Sequence, residues 1–205
     1  MPRFLPGAAV IRNALIAGVA VGVVALVALM SWALSNRTSV TGLSGITRVD
    51  KPAPEFTLDL MDGGQVTMSQ LSGRPVVLNF WASWCAPCRD EAAGLERTWR
   101  AYEERGVAFV GIDIQDSEAE ARIYLDEFDV TYPNGRDVDG KITVEYGVVG
   151  LPVTFFVSKD GLIERRWVGA VPESRLLDWT ESLAQGLPLS DNYEEPDPEQ
   201  FRQLR

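Results

Sequence analysis

The chain has 205 residues, 46% of them hydrophobic and 23% charged, enough for one globular domain of ordinary size with appendages. Its net charge of −10 argues against a nucleic-acid partner, because neutralising phosphates takes clustered Lys and Arg. With no histidine there is no imidazole base or ligand, and two cysteines are too few for a four-thiolate zinc or iron–sulfur site.

From Asn13 to Asn36 there is no charged residue, and the run "ALIAGVAVGVVALVALMSWAL" is nearly all apolar. At about 1.5 Å per residue this stretch reaches roughly 36 Å, more than the ~30 Å hydrocarbon core of a bilayer. Arg3 and Arg12 precede it, so the positive-inside tendency leaves residues 1–12 in the cytoplasm and the rest of the chain outside. Trp32 stands where an interfacial aromatic would. A cleaved signal peptide is the other reading, with "ALS" at 33–35 as the small-x-small site. The apolar run exceeds the ~7–15 residues of an ordinary signal core, which favours a transmembrane signal anchor over 13–36. Both readings put the domain on the extracytoplasmic side, periplasmic or outer, where thiols stay reduced only if something keeps them so.

Residues 37–50 are polar, rich in Gly, Ser and Thr and without periodicity, and read as a linker. The folded domain is expected over 51–186. It opens with prolines in "KPAPEFTL", then gives two short strand-like runs about Gly63-Gly64. "PVVLNFWA" is a buried-strand run. Residues 86–105 place Cys88, Ala92, Leu95, Trp99 and Tyr102 on one helical face, and Gly106 ends that helix. "VAFVGIDI" is a second apolar strand. Ser117 with Glu120 three residues on forms a capping box for a helix whose buried stripe is Ala121, Tyr124, Leu125 and Phe128. "VTFFV" and "LIERRWV" flank "SKDG", a hairpin signal, and a last helix carries Leu176, Trp179, Thr180 and Leu183. Strand–helix–strand–helix followed by a hairpin and a helix is an α/β sandwich, parallel in its first half and antiparallel in its second. Residues 187–205 hold five acids between Asp191 and Glu199 and three prolines, and read as a solvated, mostly disordered acidic tail.

The two cysteines, Cys85 and Cys88, sit in "NFWASWCAPCRDE". Cys85 follows a buried strand and opens a helix, so unpaired backbone N–H groups and the positive end of the helix dipole favour its thiolate. It is expected to be the attacking, more exposed sulfur, and Cys88, one turn deeper, the resolving one. A structural staple is a poor alternative, because a disulfide stabilises with the logarithm of the loop it closes and this loop holds two residues. A metal-binding pair of thiolates stays open at this point, and Arg89 after Cys88 removes the haem-attachment pattern.

"FWASWCAPC", with "GVVGLPVTFFVSKDG" downstream, resembles thioredoxin-like proteins. The leading "KPAPEFTL", the apolar N-terminal run and Glu91 narrow this to a resemblance with membrane-anchored TlpA/ResA-type thiol–disulfide oxidoreductases, cousins of the CcmG/DsbE proteins of cytochrome c maturation. The match covers roughly residues 50 to 185. It implies a thioredoxin-like fold, a central mixed sheet flanked by helices with an N-terminal β-hairpin extension. It also implies a protein-disulfide reductase with no cofactor beyond the redox-active Cys85–Cys88 pair. Its partners would be a cysteine-containing exported protein and a membrane electron donor that re-reduces the pair.

Site roles carry over residue by residue. Pro152 would be a cis-proline facing the cysteines, with Leu151 pairing its backbone to an incoming peptide. Trp84 would shield the disulfide and offer an apolar contact, and Pro87 would fix the first helical turn and tune the redox poise. Thioredoxins carry a buried Asp where this chain has Asn79, which cannot ionise; ResA-like proteins use a Glu at the place of Glu91. At i, i+3 from Cys88, Glu91 is expected to have a raised pKa and to take the proton of Cys88. One departure is Val153, where the cytochrome-maturation branch typically has a Glu after the cis-proline. Two other classes remain: a copper chaperone using Cys85 and Cys88 as soft ligands, poorly supported without His and with Met61 and Met68 in no suggestive pattern, and a disulfide-forming oxidase.

Overall fold

The computed structural model describes residues 7–35 and 49–189. The chain divides into two units, Met1–Val40 and Thr41–Arg205. In the first, helix α1 (Gly7–Ser35) contains a 21-residue stretch, Ile11–Ser31, of mean hydropathy 2.6. One N-terminal helix of that length and composition fits a single-pass membrane anchor, and a signal sequence satisfies the same criterion. The helix takes in Arg12 and begins before the charge-free run, because backbone hydrogen bonding does not stop at the first charged side chain.

In the second unit, β1 (Thr57–Asp59) and β2 (Gln65–Thr67) pair antiparallel around Gly63 and Gly64, both at positive φ. The main sheet has five strands: β3 (Val76–Trp81), β4 (Ala108–Asp113), β5 (Asn134–Arg136), β6 (Val153–Val157) and β7 (Ile163–Val168). Their spatial order is β5-β4-β3-β6-β7. Strands β3, β4 and β5 run parallel, while β6 is antiparallel to both β3 and β7. Every residue of β3, β4 and β6 is buried, which is why these strands are continuous apolar runs rather than alternating ones.

Alternation along the strands still divides the core. Leu78 and Phe80 meet Val110, Ile112 and Phe155 on one side, and Val77 meets Phe109 and Phe156 on the other. Helices α2 (Ala86–Tyr102), α3 (Glu118–Glu127) and α5 (Glu173–Gln185) complete the layers, with a short α4 (Lys141–Glu145) between β5 and β6. Most of the expected faces are there: Cys88, Ala92, Leu95 and Tyr102 on α2, Ala121 and Tyr124 on α3, and Leu176, Trp179, Thr180 and Leu183 on α5 are all buried. Trp99, Leu125 and Phe128 are only partly buried, Phe128 capping α3 rather than lying in it. Both halves of the Ser117–Glu120 capping box form.

Four features correct the sequence reading. Strand β5 and helix α4 were not foreseen, because "NGR" is polar and α4 has only five residues. Asp50, assigned to the linker, already donates its N–H to Ile163 O (2.8 Å). Leu189, assigned to the solvated tail, is buried in the second core, where burying a Leu side chain is worth roughly 1.5–3 kcal/mol. The linker residues up to 48 and the tail from 190 lie outside the described residues.

Candidate active site

Strand β3 ends at Trp81, and the chain turns through Ala82, Ser83 and Trp84 into α2. Cys85 is the N-cap of α2, with extended backbone (φ −83°, ψ 104°), and its Sγ accepts the N–H of Cys88 at 3.2 Å. Orphan N–H groups at a helix start attract negative charge, so a thiolate at this position is stabilised by the backbone itself. Pro87 lies in the first turn, where its missing N–H costs no hydrogen bond. Cys85 and Cys88 are disulfide-bonded, their Cα atoms 5.2 Å apart. The expected contrast in exposure is small: Cys85 is 5% exposed and Cys88 fully buried. Around them pack Trp81, Ala82, Ala92, Ala121 and Tyr124. Tyr124 stacks on Trp81 with ring centroids 4.1 Å apart and donates its hydroxyl proton to Cys88 O (2.9 Å).

What remains open at the disulfide is a groove of about 470 Å³, bordered by Trp84, Cys85 and Pro87 and by Val148, Val149 and Leu151. Trp84 and Val149 are exposed at 60% and 82%, so an apolar strip lies beside the reactive sulfur. The Leu151–Pro152 peptide bond is cis, as the resemblance implies. Val153, directly after it, is fully buried in β6.

Glu91 projects from the buried side of α2 and is only 4% exposed. Its Oε1 accepts from Asn79 Nδ2 (2.8 Å) and its Oε2 from the Val171 N–H (2.7 Å). Asn79 Nδ2 also donates to Thr154 Oγ1 (3.0 Å), so its amide orientation is fixed by two acceptors. Burial raises the Glu91 pKa to about 7, against the lowering effect of the two hydrogen bonds. The group therefore exchanges its proton close to neutral pH, the range in which a general base works best.

A second buried carboxyl, missed in the sequence, stands at the end of β4. Asp113 is 1% exposed, and neither oxygen receives a hydrogen bond from a donor among the described residues. Arg136 Nε lies 3.7 Å from its Oδ2. Burial first, and then the neighbouring Asp116 carboxyl, push the Asp113 pKa up to about 8. Asp116 is itself held by Ser83, next to the cysteine motif. The one signal that pointed here was position: both residues lie where a parallel strand ends, the edge at which α/β sheets gather their ligands.

The geometry is that of a dithiol–disulfide couple at a helix start, on the border of an apolar groove, with the buried carboxyl of Glu91 three residues after Cys88 on the same helix. A model of the AhpC/TSA family matches residues 49–166, more than half of the chain. The protein belongs to that family. The chain is 34% identical over 143 residues to a thiol-disulfide oxidoreductase ResA from Oceanobacillus iheyensis, covering 68% of this chain and 74% of the relative. It is 36% identical over 138 residues to a thiol:disulfide interchange protein DsbE from Pseudomonas fluorescens, covering 66% and 74%. Among solved structures it is similar to a secreted Mycobacterium tuberculosis disulfide oxidoreductase homologous to E. coli DsbE. There the TM-score is 0.59 at 27% identity, over 62% of this chain and 96% of that one. This AhpC/TSA member is a thiol–disulfide oxidoreductase of thioredoxin-like fold, and the CxxC pair is the part of it equipped for that chemistry.

Proposed function

We propose that the chain is a membrane-tethered reductase of disulfides in exported proteins, apocytochrome c among them. In this reading α1 stays uncleaved and holds the catalytic domain on the extracytoplasmic side, and a membrane partner supplies the electrons. The single observation that carries the reading is the position of Cys85, the N-cap of α2 on the border of the apolar groove, with Cys88 closed off behind it.

The reaction follows from these positions. In the reduced protein the Cys85 thiolate attacks one sulfur of a substrate disulfide, and the other substrate sulfur leaves as a thiolate. Cys88 gives its proton to Glu91, and its thiolate attacks Cys85 in the mixed disulfide. The Cys85–Cys88 bond forms, the substrate departs as a dithiol after taking up protons, and two electrons have passed from protein to substrate. The donor returns the pair to the dithiol by the same exchange in reverse. Trp84 supplies apolar contact, and Leu151, beside Pro152 on the border of the groove, offers its backbone to an extended substrate segment. Pro87 keeps the first turn of α2 in place while the sulfurs change partners.

The test is trapping in cells with Cys88→Ser, which leaves Cys85 to capture substrates without a resolving thiol. Mixed disulfides with exported cysteine-containing proteins, absent with Cys85→Ser, are the expected result. A wild-type pair that rests oxidised and has a potential near about −120 mV would instead make the protein an oxidant; one well below about −200 mV makes it a reductant.

A further inference from the structure

Ser83 lies between β3 and α2, two residues before Cys85, where no strand or helix partner is on offer. Its N–H donates to Asp116 Oδ2 at 2.6 Å, and its Oγ donates to Asp116 Oδ1 at 2.9 Å. Its carbonyl accepts from Arg89 Nη1 at 3.4 Å. Asp116 is only 7% exposed, and its own carbonyl accepts from Arg136 Nη2 at 2.5 Å. The residue before it, Gln115, adopts φ 60°, a left-handed backbone that side-chain-bearing residues avoid unless their surroundings hold them there. That turn brings the Asp116 carboxylate back onto Ser83.

The same groove that holds Cys85 is bordered on one side by Trp84 to Pro87 and on another by Ile114 and Gln115. Asp116 and Ser83 are the immediate chain neighbours of these two borders, so their paired hydrogen bonds tie one border to the other. A cation held by Asp113, Asp116 and Asp137 would be a rival use of these carboxylates. However, Asp137 is engaged by the N–H groups of Ile142 and Thr143 and by Thr143 Oγ1, and Arg136 already stands beside Asp113.

We propose that Asp116 is a positioning residue for the redox reaction: by gripping both donors of Ser83 it sets the spacing between the two borders of the groove, and so how firmly a substrate segment is held over Cys85. This rests on the groove being the substrate cleft.

The test uses the full-length protein in detergent micelles, with insulin as the disulfide probe and dithiothreitol as the electron source. Asp116→Ala is expected to raise KM for insulin about tenfold with kcat within about twofold, the size expected for losing hydrogen bonds to a charged group. Asp116→Asn is expected to restore KM to near the wild-type value, since its Oδ1 accepts from the Ser83 N–H and its Nδ2 donates to Ser83 Oγ. Ser83→Ala, which keeps the backbone bond, is expected to raise KM about threefold and to add nothing on top of Asp116→Ala. The proposal is overturned if Ser83→Ala keeps the wild-type KM, or if Asp116→Asn is as impaired as Asp116→Ala. Should Asp116→Ala fail to fold, Asp116→Asn is compared with wild type instead, and a KM about tenfold higher in it overturns the proposal. Cys85→Ser in the same assay separates the two levels. Retained turnover overturns the reading of the cleft and the positioning role together, whereas lost turnover beside unchanged Ser83 and Asp116 variants overturns the positioning role only.

Discussion

Glu91 and Asp113 are both buried carboxyls on the same face of the sheet, yet they are supplied with different company. Glu91 meets Asn79 on β3, and Asp113 ends β4 at a position paired with Trp81, two residues along from Asn79. Glu91 receives one hydrogen bond on each oxygen, from an amide whose own orientation is fixed and from a backbone N–H. Among the described residues Asp113 receives none from a donor; it has another carboxyl beside it and a guanidinium at 3.7 Å. Donors stabilise the charged form, so Glu91 titrates near 7 in spite of its burial, whereas Asp113 is held protonated up to about 8. The difference teaches that burial alone makes a carboxyl hard to ionise; partners decide how far above its usual range it is pushed.

The folded pKa of each group lies above its unfolded value. The stability each contributes is therefore complete below about pH 4 and is lost as pH rises, through about 7 for Glu91 and about 8 for Asp113. The largest effect is expected at Asp113. Asp113→Asn stays neutral at all pH values and can donate to Asp116, so it should match wild type in urea unfolding at pH 4 and exceed it by about 5 kcal/mol at pH 9, about 1.4 kcal/mol for each unit between the unfolded and folded pKa. Equal stabilities at pH 9 would erase the contrast between the two sites. Next is Glu91→Gln, which should slow resolution of the mixed disulfide by about a hundredfold and flatten its pH dependence around 7. An unaltered pH dependence removes Glu91 as the base. The smallest is Asn79→Ala. With one donor gone, the carboxylate keeps only the Val171 N–H, and the midpoint of the resolution pH profile should climb by about one pH unit. A midpoint that stays put would mean that Asn79 does not tune Glu91.

Much of this site was legible in the sequence, because each signal was local. The cysteine spacing, Pro87, the buried stripe of α2 and the Ser117 capping box all depend on residues within a few positions of one another. That Glu91 has a raised pKa was legible through the family resemblance and its spacing from Cys88. What escaped depends on close approach between distant segments. Strand β5 has no apolar signal; it exists because glycines let chains come together. A Cβ on Gly111 would lie 1.7 Å from Asn134 Oδ1, the atom that accepts from Trp81 Nε1, and one on Gly135 would lie 2.3 Å from Asp59 O. The Asp116–Ser83 grip spans 33 residues and has no pattern that a linear reading detects. Leu189 was misread because the acidic residues that follow it set the character of the whole tail, while the residue itself is apolar and packs.

The hydrogen bond from Val171 to Glu91 has a consequence outside the sulfur chemistry. Val171 stands just before the closing helix of the domain, far along the chain from the cysteines, yet its single amide proton points at the buried carboxyl of Glu91 on the helix that Cys85 caps. That proton is an internal gauge. Its chemical shift and its exchange with deuterated solvent should follow the charge on Glu91, so one backbone signal reports the titration of this carboxyl through about pH 7.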